Sequence, residues 1–295
     1  MAVAVLGAAL AAAGPLRADY TIAAAGEQVR FTISAAHGNL AGARAQASRV
    51  LGRCEDEYWV EGEDGAVSAR ATEADDKVTR TRHQGKTLVL ECRNEKLDLT
   101  VTKTYAPGPL PGSLRKTVSV RAPKGGGLVH VFSRSRLASS YARDAYLYTP
   151  RQSWGGKQLL FGVRRLGDLS GPVRSSCGWD NRFVVAFHQP RQWAVAHWRS
   201  LVDGVWVPCS GIIAPWGKTS PFALTYLPDG WRFRLLHCAA GETASAAADY
   251  VLLRGDWYDA WAGYKKLPGF RAAYRSLDTM PRWCRQVKYG TFWQP

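Results

Sequence analysis

Hydrophobic and polar residues alternate along most of the chain, from Asp19 to about residue 242. In the run LDLTVTKTY, for example, Leu97, Leu99 and Val101 share one face, and the residues between them are polar. A period of two is typical of strands that have one buried face. Because no helical period interrupts it, the pattern predicts a mainly β protein built as a large antiparallel β-sandwich.

Turn residues divide this region into strand pairs. Asp203-Gly204 in SLVDGVWV and Pro228-Asp229-Gly230 in LTYLPDGWRFRLL stand between apolar runs, where Asp-Gly favours a hairpin turn. The segment YTIAAAGEQVRFTIS, and RFVVAFHQ together with QWAVAHWR, predict two further strand pairs.

The pattern changes at the end of the predicted sandwich. The Ala-rich run ETASAAADYVLLR contains no Gly or Pro and predicts a helix. Asp256 is a suitable N-cap for the next helix, which places Trp257, Trp261 and Tyr264 on one face. We interpret that face as one that packs against the sandwich or a neighbouring domain. Residues 243–281 are therefore predicted to form a helical linker.

The last residues, RWCRQVKYGTFWQP at 282–295, are unusually apolar for a chain end. Val287, Tyr289, Phe292 and Trp293 predict a strand that requires partners.

This layout resembles the N-terminal part of glycoside hydrolases of the α-galactosidase-like group, in which a galactose-mutarotase-like supersandwich is joined by a helical linker to a (β/α)8 barrel. Three segments carry the resemblance: LDLTVTKTYAPGPLPGSLRKTVSVRAP as a strand pair, DYVLLRGDWYDAWAGYKKLP as the linker helix and RWCRQVKYGTFW as the first barrel strand. The resemblance implies a sandwich domain at 19–242 and the start of a truncated barrel at 282–295. It also places the catalytic carboxylates on the missing C-terminal barrel, so the chain alone is expected to be inactive.

Charge adds a second hypothesis about the partner. The formal net charge is +15, and the excess of basic residues lies beyond residue 100. This excess of basic residues has two explanations: a generally basic surface, or a negatively charged partner such as an acidic polysaccharide. We predict no nucleic-acid partner, because the sequence has no Lys/Arg cluster, no RNA-recognition signature and no Cys/His finger spacing.

The N-terminus suggests export. The run AVAVLGAALAAA at 2–13 is too short to span a bilayer and resembles the apolar part of a signal peptide, with cleavage after Ala18. We therefore expect a signal peptide over 1–18 and a secreted or periplasmic protein without a transmembrane segment, although no Lys or Arg precedes the run. The six cysteines allow up to three disulfides or remain buried thiols.

Known catalytic motifs are missing from the sequence. It has no CxxC, GxSxG, GxGxxG, P-loop or HExxH pattern, so we predict no metal and no cofactor. The adjacent acidic residues Glu55-Asp56-Glu57 and Asp75-Asp76 are interpreted as solvated loops, because neighbours in a strand point to opposite faces and cannot form a carboxylate pair.

Histidines leave an enzymatic alternative open. A mutarotase-type site pairs a His with a Glu as acid and base, and His130, His188 and His197 lie in strand-like runs. However, no Glu occurs between Glu95 and Glu242, so most of the sandwich lacks a late-strand partner. An aldose-epimerase-like enzyme is therefore the less favoured hypothesis for the function.

Two polar and aromatic loops, YTPRQSWGG and SSCGWDNR, are the candidate surface for carbohydrate binding or barrel docking. Sugars stack their C–H faces on aromatic rings and need fixed polar partners for their hydroxyls. The residues concerned are Tyr148, Arg151, Gln152, Trp154, Trp179, Asp180 and Asn181.

Together these features predict the N-terminal sandwich domain of a secreted glycoside hydrolase, which supports the catalytic barrel and contacts the carbohydrate substrate. The alternatives are a stand-alone module that binds acidic glycans and an aldose-epimerase-like enzyme.

Overall fold

The computed structural model describes residues 19–25, 28–149, 162–174, 184–188, 192–199 and 224–267. The strands of the first half are β1 (Tyr20–Ala24), β2 (Val29–Ile33), β3 (Leu40–Ala45), β4 (Ser48–Leu51), β5 (Glu55–Glu61), β6 (Val67–Thr72), β7 (Asp76–Gln84), β8 (Thr87–Asn94), β9 (Leu99–Pro107), β10 (Ser113–Arg121) and β11 (Leu128–Arg136). The later elements are α1 (Ser139–Ala142), β12 (Tyr146–Thr149), β13 (Gly162–Arg165), β14 (Val173–Arg174), β15 (Val184–Phe187), β16 (Trp193–Arg199), β17 (Leu224–Leu227), β18 (Gly230–Cys238), β19 (Thr243–Arg254) and α2 (Trp257–Lys265).

The strands within the described ranges form three antiparallel sheets. One has four strands in the order β1-β2-β3-β4. The second has nine, in the order β13-β12-β15-β16-β19-β10-β9-β8-β7, and the third has six, in the order β14-β17-β18-β11-β5-β6. The predicted large antiparallel β-sandwich is therefore confirmed.

The local strand predictions can be compared pair by pair. The pairs β1–β2, β15–β16 and β17–β18 form as the sequence pattern predicts. The hairpin predicted at Asp203-Gly204 lies outside the described residues.

One continuous apolar core joins the three sheets. Phe31 of the four-stranded sheet, Val101 of the nine-stranded sheet and Val131 of the six-stranded sheet belong to the same buried cluster. The period-two pattern of β9 explains its packing, because Leu99, Val101 and Tyr105 all face this core. Lys103 occupies the position between the last two and is equally buried.

The helix predicted for ETASAAADYVLLR is wrong. Thr243–Arg254 is β19, a central strand that pairs with β10 on one side and β16 on the other. Residues Ala246 to Leu252 are buried consecutively, so the strand does not alternate, and an uninterrupted apolar run resembles a buried helix. The weak helix preference of alanine is readily overridden by such packing.

The helical part after the sandwich begins at Trp257. Asp256 caps α2, since its side chain accepts a hydrogen bond from the Tyr258 backbone at 2.8 Å. The helix packs on β15 and β16, where Tyr264 and Trp198 join a second buried cluster. The interpretation of the aromatic helix face as a packing surface is thus confirmed.

Five ionisable side chains form a network inside the core. Each is 0–1% exposed: Asp56 of β5, Glu73 of the turn after β6, Asp76 of β7, Lys103 of β9 and Lys116 of β10. The Lys116 Nζ lies 2.9 Å from Asp56 Oδ2 and 2.6 Å from Glu73 Oε1. The Lys103 Nζ lies 3.1 Å from the same Glu73 oxygen and 2.7 Å from Asp76 Oδ2. The network therefore connects the nine-stranded sheet to the six-stranded sheet.

Charge balance in this network depends on one proton. Burial, reinforced by the charge of Glu73, raises the pKa of Asp56 to about 7. Burial also disfavours ionisation of Glu73, yet Lys103 and Lys116 hold its pKa below the usual value. When Asp56 is protonated, two carboxylates face two ammonium groups.

The interpretation of the acidic runs as solvated loops is wrong for Glu55, Asp56, Glu57 and Asp76, which are buried and lie in β5 or β7. The alternation of β5 and the start of β7 direct Asp56 and Asp76 into the core.

The three cysteines in the described ranges, Cys54, Cys92 and Cys238, are buried free thiols. Burial raises the pKa of Cys54 to about 12 and that of Cys92 to about 11. Such thiols are poor nucleophiles and serve as packing groups. No helix in the described part of the chain is long and apolar enough to cross a bilayer.

Candidate functional site

The outer face of the six-stranded sheet carries a dense group of charged and aromatic side chains. Strand pairing sets alternate residues of β6, β5, β11 and β18 beside one another on this face. We call it the Trp59 face, and its residues are Glu55, Glu57, Trp59, Glu61, Arg70, His130, Phe132, Arg134, Arg136, Arg232, Arg234 and His237.

The composition of β5 explains how one strand serves both the core and this face. In EDEYWVE the inward positions hold Asp56 and Tyr58, which are completely buried. The outward positions hold glutamates and Trp59. Glu55 and Glu57 are nevertheless only 8% and 9% exposed, so the site is not an ordinary solvated sheet surface.

Ion pairs fix the glutamates of the Trp59 face. The Glu57 carboxylate lies 2.8 Å from Arg232 Nη1 and 3.5 Å from Arg134 Nη1. Glu55 lies 3.2 Å from Arg136 Nη2. Partly buried pairs of this kind are held more rigidly than exposed ones, since little water competes for the charges.

Trp59 lies at the centre of this arrangement and is partly exposed. The guanidinium carbons of Arg70 and Arg232 lie 4.4 and 4.6 Å from its ring centroid, and the Phe132 ring centroid is 4.6 Å away. Cation–π contacts of this length hold both arginines against the ring. The face thus offers a flat aromatic group surrounded by oriented hydrogen-bond donors and acceptors.

A histidine and a glutamate form a pair beside Trp59. His130 Nε2 lies 2.6 Å from Glu61 Oε2, and His130 is 3% exposed. Burial is the main cause that lowers the pKa of His130, although the hydrogen bond to Glu61 acts in the opposite direction. The neutral ring therefore donates Nε2–H to the carboxylate and keeps a lone pair on Nδ1, which has no hydrogen-bond partner among the described residues.

The other two candidate histidines have structural surroundings. His197 is completely buried, stacks on Tyr250 at 4.0 Å and accepts a hydrogen bond from Trp231 Nε1. His188 stacks on Tyr141 at 4.0 Å. Within the described residues, His130 is the one of the three that lies next to a glutamate. Sequence reasoning missed this partner because it looked for a late strand, whereas the partner comes from β5.

The loop residues predicted to contact sugar or barrel are described only in part. Tyr148 lies on β12, where its ring stacks on Trp257 of α2 at 4.2 Å. Arg151, Gln152, Trp154, Trp179, Asp180 and Asn181 lie outside the described residues, so their roles stay predictions. In the regions that the structure covers, no three His, Cys, Asp or Glu side chains converge as metal ligands.

Comparison with known proteins identifies the fold. The structure is similar to the Slr1438 protein of Synechocystis sp. PCC 6803, with a TM-score of 0.54 and 11% identity over 81% of this chain and 96% of that one. A galactose mutarotase related enzyme of Lactobacillus acidophilus matches with a TM-score of 0.49 and 11% identity, over 81% of this chain and 98% of that one. The match to the Slr1438 protein shows a shared fold over most of both chains and agrees with the predicted β-sandwich.

The structure is also similar, more weakly, to a glycoside hydrolase. The GH36 α-galactosidase AgaA of Geobacillus stearothermophilus matches with a TM-score of 0.38 and 12% identity, over 68% of this chain and 30% of that one. By sequence, no family model and no curated protein matches the chain. At these identities the comparisons carry no activity over to this protein.

Proposed function

We propose that this chain is a carbohydrate-binding β-sandwich domain of a secreted glycoside hydrolase and that the Trp59 face contacts the sugar. The observation that carries the binding role is the partly exposed Trp59 ring, enclosed by arginines and glutamates that ion pairs hold in place. A sugar ring needs both a flat apolar contact and oriented polar groups. The assignment to a glycoside hydrolase is supported by the order of sandwich, helix and apolar C-terminal segment along the sequence.

The side chains of the Trp59 face are already ordered without a ligand, which favours this face as a binding surface. Arginine and glutamate side chains lose considerable rotamer freedom when they bind a ligand. On the Trp59 face Arg232 is already held by Glu57 and Trp59, so less freedom remains to be lost.

Replacing Trp59 by alanine tests the binding role. We expect the Trp59→Ala variant of the 295-residue chain to bind oligosaccharides at least about tenfold more weakly, because it loses the aromatic contact and releases two arginines. Isothermal titration with galacto-oligosaccharides and oligogalacturonates measures the change.

Tyr258→Ala is the matched control, since this aromatic ring is 61% exposed on α2, which packs on β15 and β16 of the nine-stranded sheet. Absence of sugar binding by the intact chain, or equal losses in the two variants, would refute the proposal. We do not expect the intact chain or either variant to cleave aryl glycosides. In glycoside hydrolases of the proposed group, the hydrolytic carboxylates belong to the catalytic (β/α)8 barrel.

The His130–Glu61 pair favours aldose epimerisation as a second candidate. The neutral imidazole is oriented by a carboxylate, as in a general base. Its Nδ1 is buried, so proton exchange with a sugar hydroxyl requires a neighbouring side chain to move. That requirement makes epimerisation the second candidate and not the first.

Polarimetry of freshly dissolved α-D-galactose distinguishes the two candidates. An epimerase accelerates the return to equilibrium, and His130→Gln should slow that catalysed rate by about 10²–10⁴-fold. His188→Gln should leave it unchanged, because His188 lies away from Glu61. If the intact chain produces no acceleration, epimerisation is excluded and the binding role remains.

A further inference from the structure

Charges on the Trp59 face are not balanced pair by pair. Glu55 and Glu57 each pair with an arginine of the face, and Glu61 accepts a hydrogen bond from His130. In contrast, Arg70 and Arg234 have no carboxylate within ion-pair distance in the described part of the chain. Arg70 is exposed and Arg234 partly exposed, so both guanidinium groups are open to a ligand from solution.

These two arginines lie on opposite sides of the His130–Glu61 pair. Arg70 is the cross-strand neighbour of Trp59, and Trp59 is in turn the neighbour of His130. Arg234 lies on the far side, opposite Phe132, near enough for its charge to lower the pKa of His130. A ligand above His130 would therefore meet a guanidinium group at either end.

Acceptor atoms are also scarce on this face. The buried Nε groups of Arg134 and Arg232 have no hydrogen-bond acceptor among the described residues. An unsatisfied buried donor costs free energy, and these two donors show that hydrogen-bond donors outnumber acceptors on the Trp59 face.

We propose that the Trp59 face binds a sugar that bears a carboxylate, with Arg234 and Arg70 as the groups that recognise the negative charge. The planar guanidinium fork matches a carboxylate in two parallel hydrogen bonds. Glu61 is partly exposed on β5, and its negative charge disfavours a ligand whose sugars each carry several anionic groups. A hexuronate has one carboxylate among neutral hydroxyls. It therefore fits a face with these two arginines and a nearby glutamate better than a sulfated glycan or a nucleic acid does. The inference rests on the proposed sugar-binding role.

Titration with matched ligands tests the inference on the full chain. Oligogalacturonate and its fully methyl-esterified form share one backbone and differ only in charge. We expect the charged form to bind at least about tenfold more tightly. The Arg234→Gln variant should remove most of this preference, and Arg234→Lys should recover only part, since lysine keeps the charge but loses the fork.

Arg121→Gln is the charge-matched control, because Arg121 is exposed at the end of β10 on the nine-stranded sheet. Equal binding of the charged and esterified forms would overturn the inference and leave the sugar-binding role intact. No binding of either form would instead reject the proposed function itself. Tighter binding of heparin or single-stranded DNA, weakened equally by Arg121→Gln and Arg234→Gln, would also overturn the inference, because it would show unspecific attraction of polyanions.

Discussion

Replacing Lys116 by methionine is expected to lower the free energy of unfolding by about 3–5 kcal/mol. Methionine fills a similar volume, but it removes the ammonium group that lies 2.6 Å from Glu73 and 2.9 Å from Asp56. The carboxylates would then remain buried in the core with one lysine fewer. Chemical denaturation near neutral pH measures the loss.

Lys77→Met provides the control for this prediction. Lys77 pairs with Glu95 at 2.7 Å, but both side chains are more than 60% exposed, at 68% and 63%. Exposed pairs contribute at most about 1 kcal/mol. Adding Glu73→Gln to Lys116→Met should restore part of the stability, because it removes the uncompensated charge. Equal losses in Lys116→Met and Lys77→Met would contradict the structural role of the network.

The second large effect concerns pH. The pKa of Asp56 is raised to about 7 in the folded protein, while that of an unfolded aspartate is about 3.9. Between these values the folded state retains a proton that the unfolded state releases. The contribution of Asp56 to stability is therefore fully present below about pH 4 and declines by up to about 4 kcal/mol as the pH rises to about 7.

The Asp56→Asn variant cannot ionise and should not show this decline. Denaturation free energies of variant and natural protein, measured at several values between about pH 4 and pH 8, should diverge in favour of the variant as the pH rises. Asp64→Asn introduces the same chemical change at an exposed position and should follow the natural protein. Parallel curves for Asp56→Asn and the natural protein would show that Asp56 keeps an ordinary pKa.

The alternation of apolar and polar residues was sufficient to predict the sandwich, because the sequence of each strand shows which of its faces is buried. In β9 the residues that face the core are two positions apart, so the local sequence contains the information. In β19 both faces are buried over the middle of the strand, and the period disappears. The failure of the helix prediction there follows from where the strand lies in the sheet, which no local window contains.

Sequence reasoning could not assemble the Trp59 face. His130 and Glu61 are 69 residues apart, and Arg232 and Glu57 are 175 residues apart. Antiparallel pairing of β11 with both β5 and β18 brings them together. A histidine in one strand and a glutamate in another become a pair only when the order and register of the strands are known.

The same distinction applies to the buried charges. Lys103 and Lys116 stand at inward positions of β9 and β10. The sequence could not show that Glu73, Asp56 and Asp76 meet them there, because the turn after β6 and two different sheets supply those carboxylates.

The amino-acid sequence by itself determined the class of fold, several of the strand pairs and the capped helix α2, because these depend on side chains only a few positions apart. The tertiary structure alone decided which charged groups become partners. Coulomb and hydrogen-bond energies act over a few ångströms in space, and only the order of strands in the sheets brings Arg232 to Glu57 and Lys116 to Asp56.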